Sequence, residues 1–244
     1  KDRALIFNLI DNDLEKIVAL IGSEIKNSVI MLINPTINIS ALSKLINLYN
    51  PDYLFLSKEK KMEIYNFKLI FSYRGYNLLK SIKFLSKKIN QKLFLLQTTS
   101  GSTGSPKNVK LSYENLQSNT DSIINDLKIT KNDTAITTLP PSYVYGLSII
   151  NTHLKVGAKI VLNKFSVLEK KFWDALVFNK VNNFGAVPYI YEILLTSFSS
   201  FNSSSFFNSF SSFSNLFTNC FITLSFLFTT SSGRSSRWGI STSS

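Results

Sequence analysis

Ala4-Leu5-Ile6-Phe7-Asn8-Leu9-Ile10, followed by Asp11-Asn12-Asp13, sets the pattern of the chain. The run is almost wholly apolar and does not alternate, as expected of a strand buried on both faces of a parallel sheet. The polar triplet offers a helix N-cap. Leu14, Ile17, Val18, Ile21 and Ile25 then recur at three and four residues, the spacing of one helix face. Val29–Ile33 is a second strand, closed by Asn34-Pro35. Ile39, Leu42, Leu45, Ile46 and Tyr49 mark a second helix stopped by Asn50-Pro51, and Tyr53–Leu56 a third strand. Strand–helix–strand–helix–strand predicts an α/β fold.

Further along, residues 57–92 are lysine-rich and less regular, with one strand expected at Phe67–Phe71. Leu93–Gln97 is again a strand. The polar stretch from Thr98 to Lys107 follows, and then the alternating Val109-Lys110-Leu111. Ser112 can cap a helix whose buried face is Leu116, Ile123, Ile124 and Leu127. Strands are expected at Ala135–Leu139, Ala158–Leu162 and Phe184–Val187, and helices at Leu147–Leu154, Glu169–Asn179 and Pro188–Leu195.

The 244 residues carry 27 Lys+Arg against 15 Asp+Glu, a formal charge of +12. Length and apolar content suit one domain or two small ones, and exclude a disordered polyelectrolyte, a collagen-like repeat and a disulfide scaffold. The bases are scattered, with no zinc-finger spacing, aromatic RNA-binding stripe or basic helix, so nucleic acid is not the expected partner. The sole cysteine, Cys220, lies near the C-terminal end, and no signal peptide is expected. Leu216–Phe228, the longest apolar-leaning run near that end, is shorter than the ~20 residues of a membrane helix. The body is therefore expected to be cytoplasmic, with no membrane span.

The chain divides by composition. Residues 197–244 contain no acid and only Arg234 and Arg237 as bases, yet hold 10 of the 20 phenylalanines and 18 serines. Residues 1–196 are rich in Lys, Asn and Ile, which AT-rich codons encode, and an AT-rich gene read in a wrong frame yields Phe, Ser and Leu. The expectation is a folded unit over 1–196. Residues 197–244 would be an irregular or disordered tail, produced by a frameshift or a mis-annotated exon, with a genuine low-complexity tail as the rival.

The chemistry sits at Thr99-Ser100-Gly101-Ser102-Thr103-Gly104-Ser105-Pro106-Lys107. Glycines let a backbone approach phosphate oxygens and aim its N–H groups at them. The hydroxyls add donors, and one can reach a magnesium ion. The spacing is not that of a Walker A loop, which has four residues between its glycines and opens a helix. A flexible Ser/Gly linker is the alternative, but linkers rarely join two strands inside a continuous α/β pattern.

This nine-residue stretch closely resembles the phosphate-binding loop of the adenylate-forming (AMP-binding) superfamily, which includes acyl-CoA synthetases, nonribosomal-peptide adenylation domains and luciferases. Three further segments fall in that family's order. Leu139-Pro140-Pro141-Ser142-Tyr143-Val144-Tyr145-Gly146-Leu147 is similar to the segment lining the acyl-substrate pocket. Gly157-Ala158-Lys159-Ile160-Val161-Leu162 is similar to a family strand. Gly185-Ala186-Val187-Pro188-Tyr189-Ile190-Tyr191 is similar to the start of the next pocket-side helix.

The resemblance, over about 1–196, implies the N-terminal part of that family's large domain, with βαβ layers and a strand–phosphate loop–strand unit. It implies ATP and magnesium as cofactors, a small-molecule carboxylate as substrate, and coenzyme A or the phosphopantetheine of a carrier protein as acyl acceptor. Thr99, Ser100, Gly101, Ser102, Thr103, Gly104 and Lys107 become cofactor-binding residues, with Thr103 at the metal. Tyr143, Tyr145 and Gly146 become pocket residues, although core packing would equally explain the two tyrosines.

Asn108 stands where the family has glycine, and would be the best substitute if that position needs φ > 0. His153, the only histidine, is expected to be a packed or capping residue rather than a catalyst. The family's later adenine, ribose and catalytic-lysine parts have no counterpart in these residues. The chain is therefore expected to be a fragment without turnover. The alternatives are a non-catalytic nucleotide- or phosphate-binding module or pseudoenzyme, and a basic surface protein.

Retranslating the gene after the codon for Leu195 tests the frameshift reading. An alternative frame should continue into a Tyr-Gly-x-Thr-Glu-like segment, and its absence from both frames removes the idea.

Overall fold

The structure, a computed structural model, describes residues 3–9, 13–59, 66–83, 88–98 and 108–192. Strand β1 (Leu5–Leu9), helix α1 (Leu14–Ile25), strand β2 (Val29–Leu32), helix α2 (Ile39–Tyr49) and strand β3 (Tyr53–Ser57) follow the expected alternation. Strands β4 (Phe67–Tyr73), β5 (Tyr76–Ser81), β6 (Leu93–Thr98) and β7 (Asn108–Ser112) complete a seven-stranded sheet in the order β4-β5-β3-β1-β2-β6-β7. Its centre, β3-β1-β2-β6, is parallel. The outer strands β5, β4 and β7 run antiparallel.

The continuous apolar runs are explained by cover on both faces. Leu5, Phe7, Leu9, Val29, Met31 and Ile33 point to the side where Leu42 and Leu45 of α2 pack. Ile30, Leu32, Phe94 and Leu95 point to the other side, against Leu20 of α1. Asn50 ends α2 in the left-handed conformation with Pro51 directly after it, a helix stop for which Asn is well suited.

Helix α3 (Tyr113–Leu127) follows, capped as expected by Ser112, whose hydroxyl accepts from the Asn115 amide while the Asn115 side chain accepts from the Ser112 amide. A second, all-parallel sheet has the order β10-β8-β9, from β8 (Thr134–Ile136), β9 (Lys159–Val161) and β10 (Asn183–Phe184). Helix α5 (Lys170–Phe178) covers it through Phe172 and Leu176. Helix α4 (Val144–Val156) lies between the two sheets: Leu147 joins the core of the first, and Ile149 meets Gly185 just beyond β10.

Several expectations are corrected. In α1 the buried residues are Lys16, Ile17, Leu20 and Ser23, whereas Leu14, Val18, Ile21 and Ile25 are exposed. Apolar residues cover more than half of that helix, so periodicity alone offers two faces. Asp13 occupies the α1 N-cap position, but its carboxylate makes no capping bond. It pairs instead with Lys164 at 2.7 Å and accepts from the Tyr76 hydroxyl. Asp11 and Asn12 lie outside the described residues. Ile39 of α2 and Leu127 of α3 are exposed, and in α3 the buried side chain is Thr120.

Strand β5 was not expected. Tyr73 and Tyr76 pair across a two-residue turn, Arg74-Gly75, in which both residues have positive φ. That is the geometry of a tight primed hairpin. Strands β8, β9 and β10 are shorter than expected, and α4 starts three residues earlier than Leu147. Residues 188–192 begin the expected last helix, while the remainder of Pro188–Leu195 and all of 197–244 lie outside the described residues.

His153 is buried in α4, as expected of a packed residue. Its Nδ1 donates to the Ile149 carbonyl at 2.8 Å, since a carbonyl can only accept, which leaves Nε2 as a buried acceptor without a partner. Burial is the main cause that lowers its pKa from the ordinary 6.5, against weaker raising contributions from the Ile149 bond and Asp133. The folded state then binds fewer protons than the unfolded one just below pH 6.5, so stability must fall with acidification through that window. A His153→Asn variant should lose less in thermal midpoint between pH 7 and pH 5.5 than the parent chain. Equal losses would contradict the assignment.

Candidate functional site

β6 leaves the parallel core at Thr98, and Thr98 pairs with Asn108 at the start of the antiparallel β7. The stretch 99–107 thus joins two paired residues at the carboxyl end of a parallel strand. Ligands of open α/β sheets bind outside that end. Thr99, Ser100, Gly101, Ser102, Thr103, Gly104 and Lys107 themselves lie outside the described residues.

Asn108 needs no left-handed backbone. It is a β7 strand residue and is not among the positive-φ positions. Its Nδ2 donates to the Tyr49 hydroxyl at 2.6 Å, tying the return strand to α2.

The next segment is anchored directly to β6. Gln97 is 1% exposed, and its Nε2 donates to the Ser142 carbonyl at 2.9 Å, with the Pro141 carbonyl at 3.5 Å. Gln97 Oε1 and Ser142 Oγ are both buried without a hydrogen-bond partner. Beyond Ser142 the chain turns into α4. The Tyr143 amide donates to the Pro140 carbonyl at 2.9 Å, and the Leu147 amide donates to the Tyr143 carbonyl at 3.0 Å.

Gly146 makes this turn possible. A Cβ there would stand 2.5 Å from the Pro140 carbonyl oxygen and 2.6 Å from that of Leu139. These are backbone atoms that cannot swing aside. Gly185 is less tightly confined, because a Cβ would meet only side-chain ends, Tyr145 Oη and Ile149 Cδ1, each at 2.9 Å. The Thr138 hydroxyl donates to the Gly185 carbonyl, and the Tyr191 hydroxyl donates to the Phe184 carbonyl at 3.3 Å. Segments 138–147 and 184–191, far apart in sequence, are therefore joined.

The structure thus brings Tyr143, Tyr145 and Gly146 together at the amino end of α4, beside the strand that carries the loop. Tyr143 is 51% and Tyr145 39% exposed, and Tyr145 Oη lies against Gly185. Among the described residues, grooves of about 510 Å³ (Tyr49, Leu96 and Lys110 among its walls) and about 290 Å³ (Leu20, Phe94 and Leu147) lie beside β6. Neither is lined by Tyr143, Tyr145 or Gly146. Sequence reasoning missed Gln97 and Thr138. The one signal for Gln97 was a polar residue closing an apolar run. Among the described residues no group of three or more His, Cys, Asp or Glu could hold a metal ion, and no helix is long and apolar enough to cross a membrane.

The sequence profile of the family described as AMP-binding enzyme matches residues 4–218, and the chain belongs to that family. It is similar to oxalate–CoA ligase of Saccharomyces cerevisiae, 35% identical over 103 residues that make up 41% of this chain and 19% of that protein. It is 31% identical over 101 residues to a probable CoA ligase of Humulus lupulus, 40% of this chain and 19% of that protein.

Among solved structures, apo MatB from Rhodopseudomonas palustris superposes with a TM-score of 0.65 at 20% identity, over 80% of this chain and 41% of that one. O-succinylbenzoate coenzyme A synthetase of Bacillus subtilis, in complex with AMP, gives 0.64 at 19% identity, over 80% and 52%. The fold is that of the N-terminal domain of adenylate-forming enzymes. The match spans about a fifth of the two CoA ligases and two-fifths to half of the two solved chains.

Replacing Gly146 by Ala should cost roughly 1–3 kcal/mol of folding stability, the usual penalty of overpacking. Denaturant titration checks this, and an unchanged midpoint would show that α4 does not press on the 139–140 carbonyls.

Proposed function

We propose that this chain is the phosphate-loop part of an AMP-forming acid–thiol ligase. The complete enzyme would activate a small-molecule carboxylate with ATP to an acyl-adenylate and pyrophosphate, then pass the acyl group to a thiol. Coenzyme A is the acceptor that the CoA-ligase relatives favour, with carrier-bound phosphopantetheine as the variant. The observation that carries the reading is the position of Thr99–Lys107, between the paired Thr98 and Asn108 in a chain of the AMP-binding family.

In this reading Gly101 and Gly104 let the backbone approach phosphate oxygens, while Ser100, Ser102 and Thr103 donate to them. Fixed donors aimed where charge develops on the β- and γ-phosphates lower the barrier electrostatically. Lys107 adds positive charge at the mouth. A hydroxyl such as that of Thr103 is a hard oxygen ligand suited to magnesium, whose chemistry when bound is to neutralise phosphate charge. Tyr143, Tyr145 and Gly146 form a wall for the carboxylate substrate beside the loop. The body contains no cysteine, which suits a cytoplasmic enzyme.

In a full-length version, Gly104→Val should abolish ATP binding and ATP–pyrophosphate exchange, because a branched side chain blocks the backbone's approach to phosphate. Unchanged exchange would sink the assignment. The 244 residues alone should form no acyl-adenylate, and detection of that product by mass spectrometry would contradict the proposed division of labour.

A further inference from the structure

We propose that Gln97 is a positioning residue that couples the loop-bearing strand β6 to the wall formed by residues 139–146. The proposal rests on the phosphate-loop reading above. Gln97 is 1% exposed and closes the apolar run Leu93–Leu96. Packing does not call for an amide there, because a methionine would fill similar volume without leaving Oε1 as a buried acceptor lacking a partner. What the amide adds is a donor to the main chain of the neighbouring segment, to Ser142 O at 2.9 Å and towards Pro141 O.

Those carbonyls belong to the turn that aims α4. Directly after them come the Tyr143-to-Pro140 bond, the Gly146 contact with the 139–140 backbone, and Tyr145 against Gly185. One side chain, two residues before the proposed phosphate stretch, therefore sets the start of the wall relative to the end of β6. Bringing two reacting groups into one geometry is worth large rate factors, so a rigid link between the two half-sites has a use that packing lacks. Ser142 Oγ, buried and unpartnered beside this link, leaves further hydrogen-bonding capacity at the same junction.

Hydrogen exchange by mass spectrometry on the whole 244-residue chain, with and without MgATP, tests this. In the parent chain MgATP should slow exchange in peptides covering both 99–107 and 139–147. Gln97→Met should keep the first protection and lose the second. Without ligand, its 139–147 amides should exchange roughly five- to tenfold faster, the effect of one lost hydrogen bond. Gln97→Glu at pH 8, similar in size but lacking the donor, should behave alike.

Retention of both protections in the folded variants overturns the proposal. So does loss of fold in both, which would make the link merely structural. Protection of 99–107 alone in the parent chain overturns the coupling but leaves the phosphate reading standing. No protection at 99–107 in the parent chain brings down the phosphate reading itself.

Discussion

Nine residues separate the end of β6 from the start of β7, and that shortness governs the site. A parallel return to the sheet needs a crossover of a dozen residues or more, so β7 must come back antiparallel beside the strand it left. The stretch 99–107 is then a hairpin connection at the carboxyl edge, anchored by the Thr98–Asn108 pair. β6 is held on its other side by the parallel β2, whose residues are all buried. The strand pair that carries this stretch thus stands against a buried strand.

The second sheet is brought to this base by α4. Leu147 packs into the core of the first sheet, while Ile149 and Tyr145 close on Gly185, just beyond β10 of the second. An extra atom at Gly146 would strike the 139–140 backbone carbonyls, so the amino end of α4 has little freedom to shift. The polar ties at this junction, Gln97 to the 141–142 carbonyls and Thr138 to Gly185, satisfy main-chain groups that leave regular structure there. The site is a meeting of strand ends and one helix start, and its parts come from three separate stretches of sequence, 97–108, 138–147 and 184–191.

Much of the fold was legible in the residues. Val29–Ile33 is continuously apolar because both faces of the sheet are covered, whereas a strand with one face in water would alternate. The buried side of α1 was not legible, because apolar residues cover most of that helix and only the packed sheet selects Ile17 and Leu20. The β4–β5 hairpin escaped because its turn is Arg74-Gly75, and arginine gives no warning of positive φ. At the candidate site, the glycines and hydroxyls of 99–107 single the stretch out in the sequence, and its phosphate role is the proposal made above. Gln97 was not legible, since it acts on main-chain carbonyls, and a carbonyl acceptor leaves no trace in the identity of its residue. The expected capping role of Asp13 failed for a related reason. Lys164, distant in sequence, competes for the same carboxylate.

The central claim is that the backbone of 99–107 receives phosphate. Amide resonances of Gly101 and Gly104, observed while the chain is titrated with magnesium pyrophosphate, test it most directly. The account predicts saturable shifts at these two glycines and none at Gly75 or Gly157, which sit in a hairpin turn and a helix C-cap. Shifts spread evenly over surface lysines, with Gly101 and Gly104 unmoved, would contradict it.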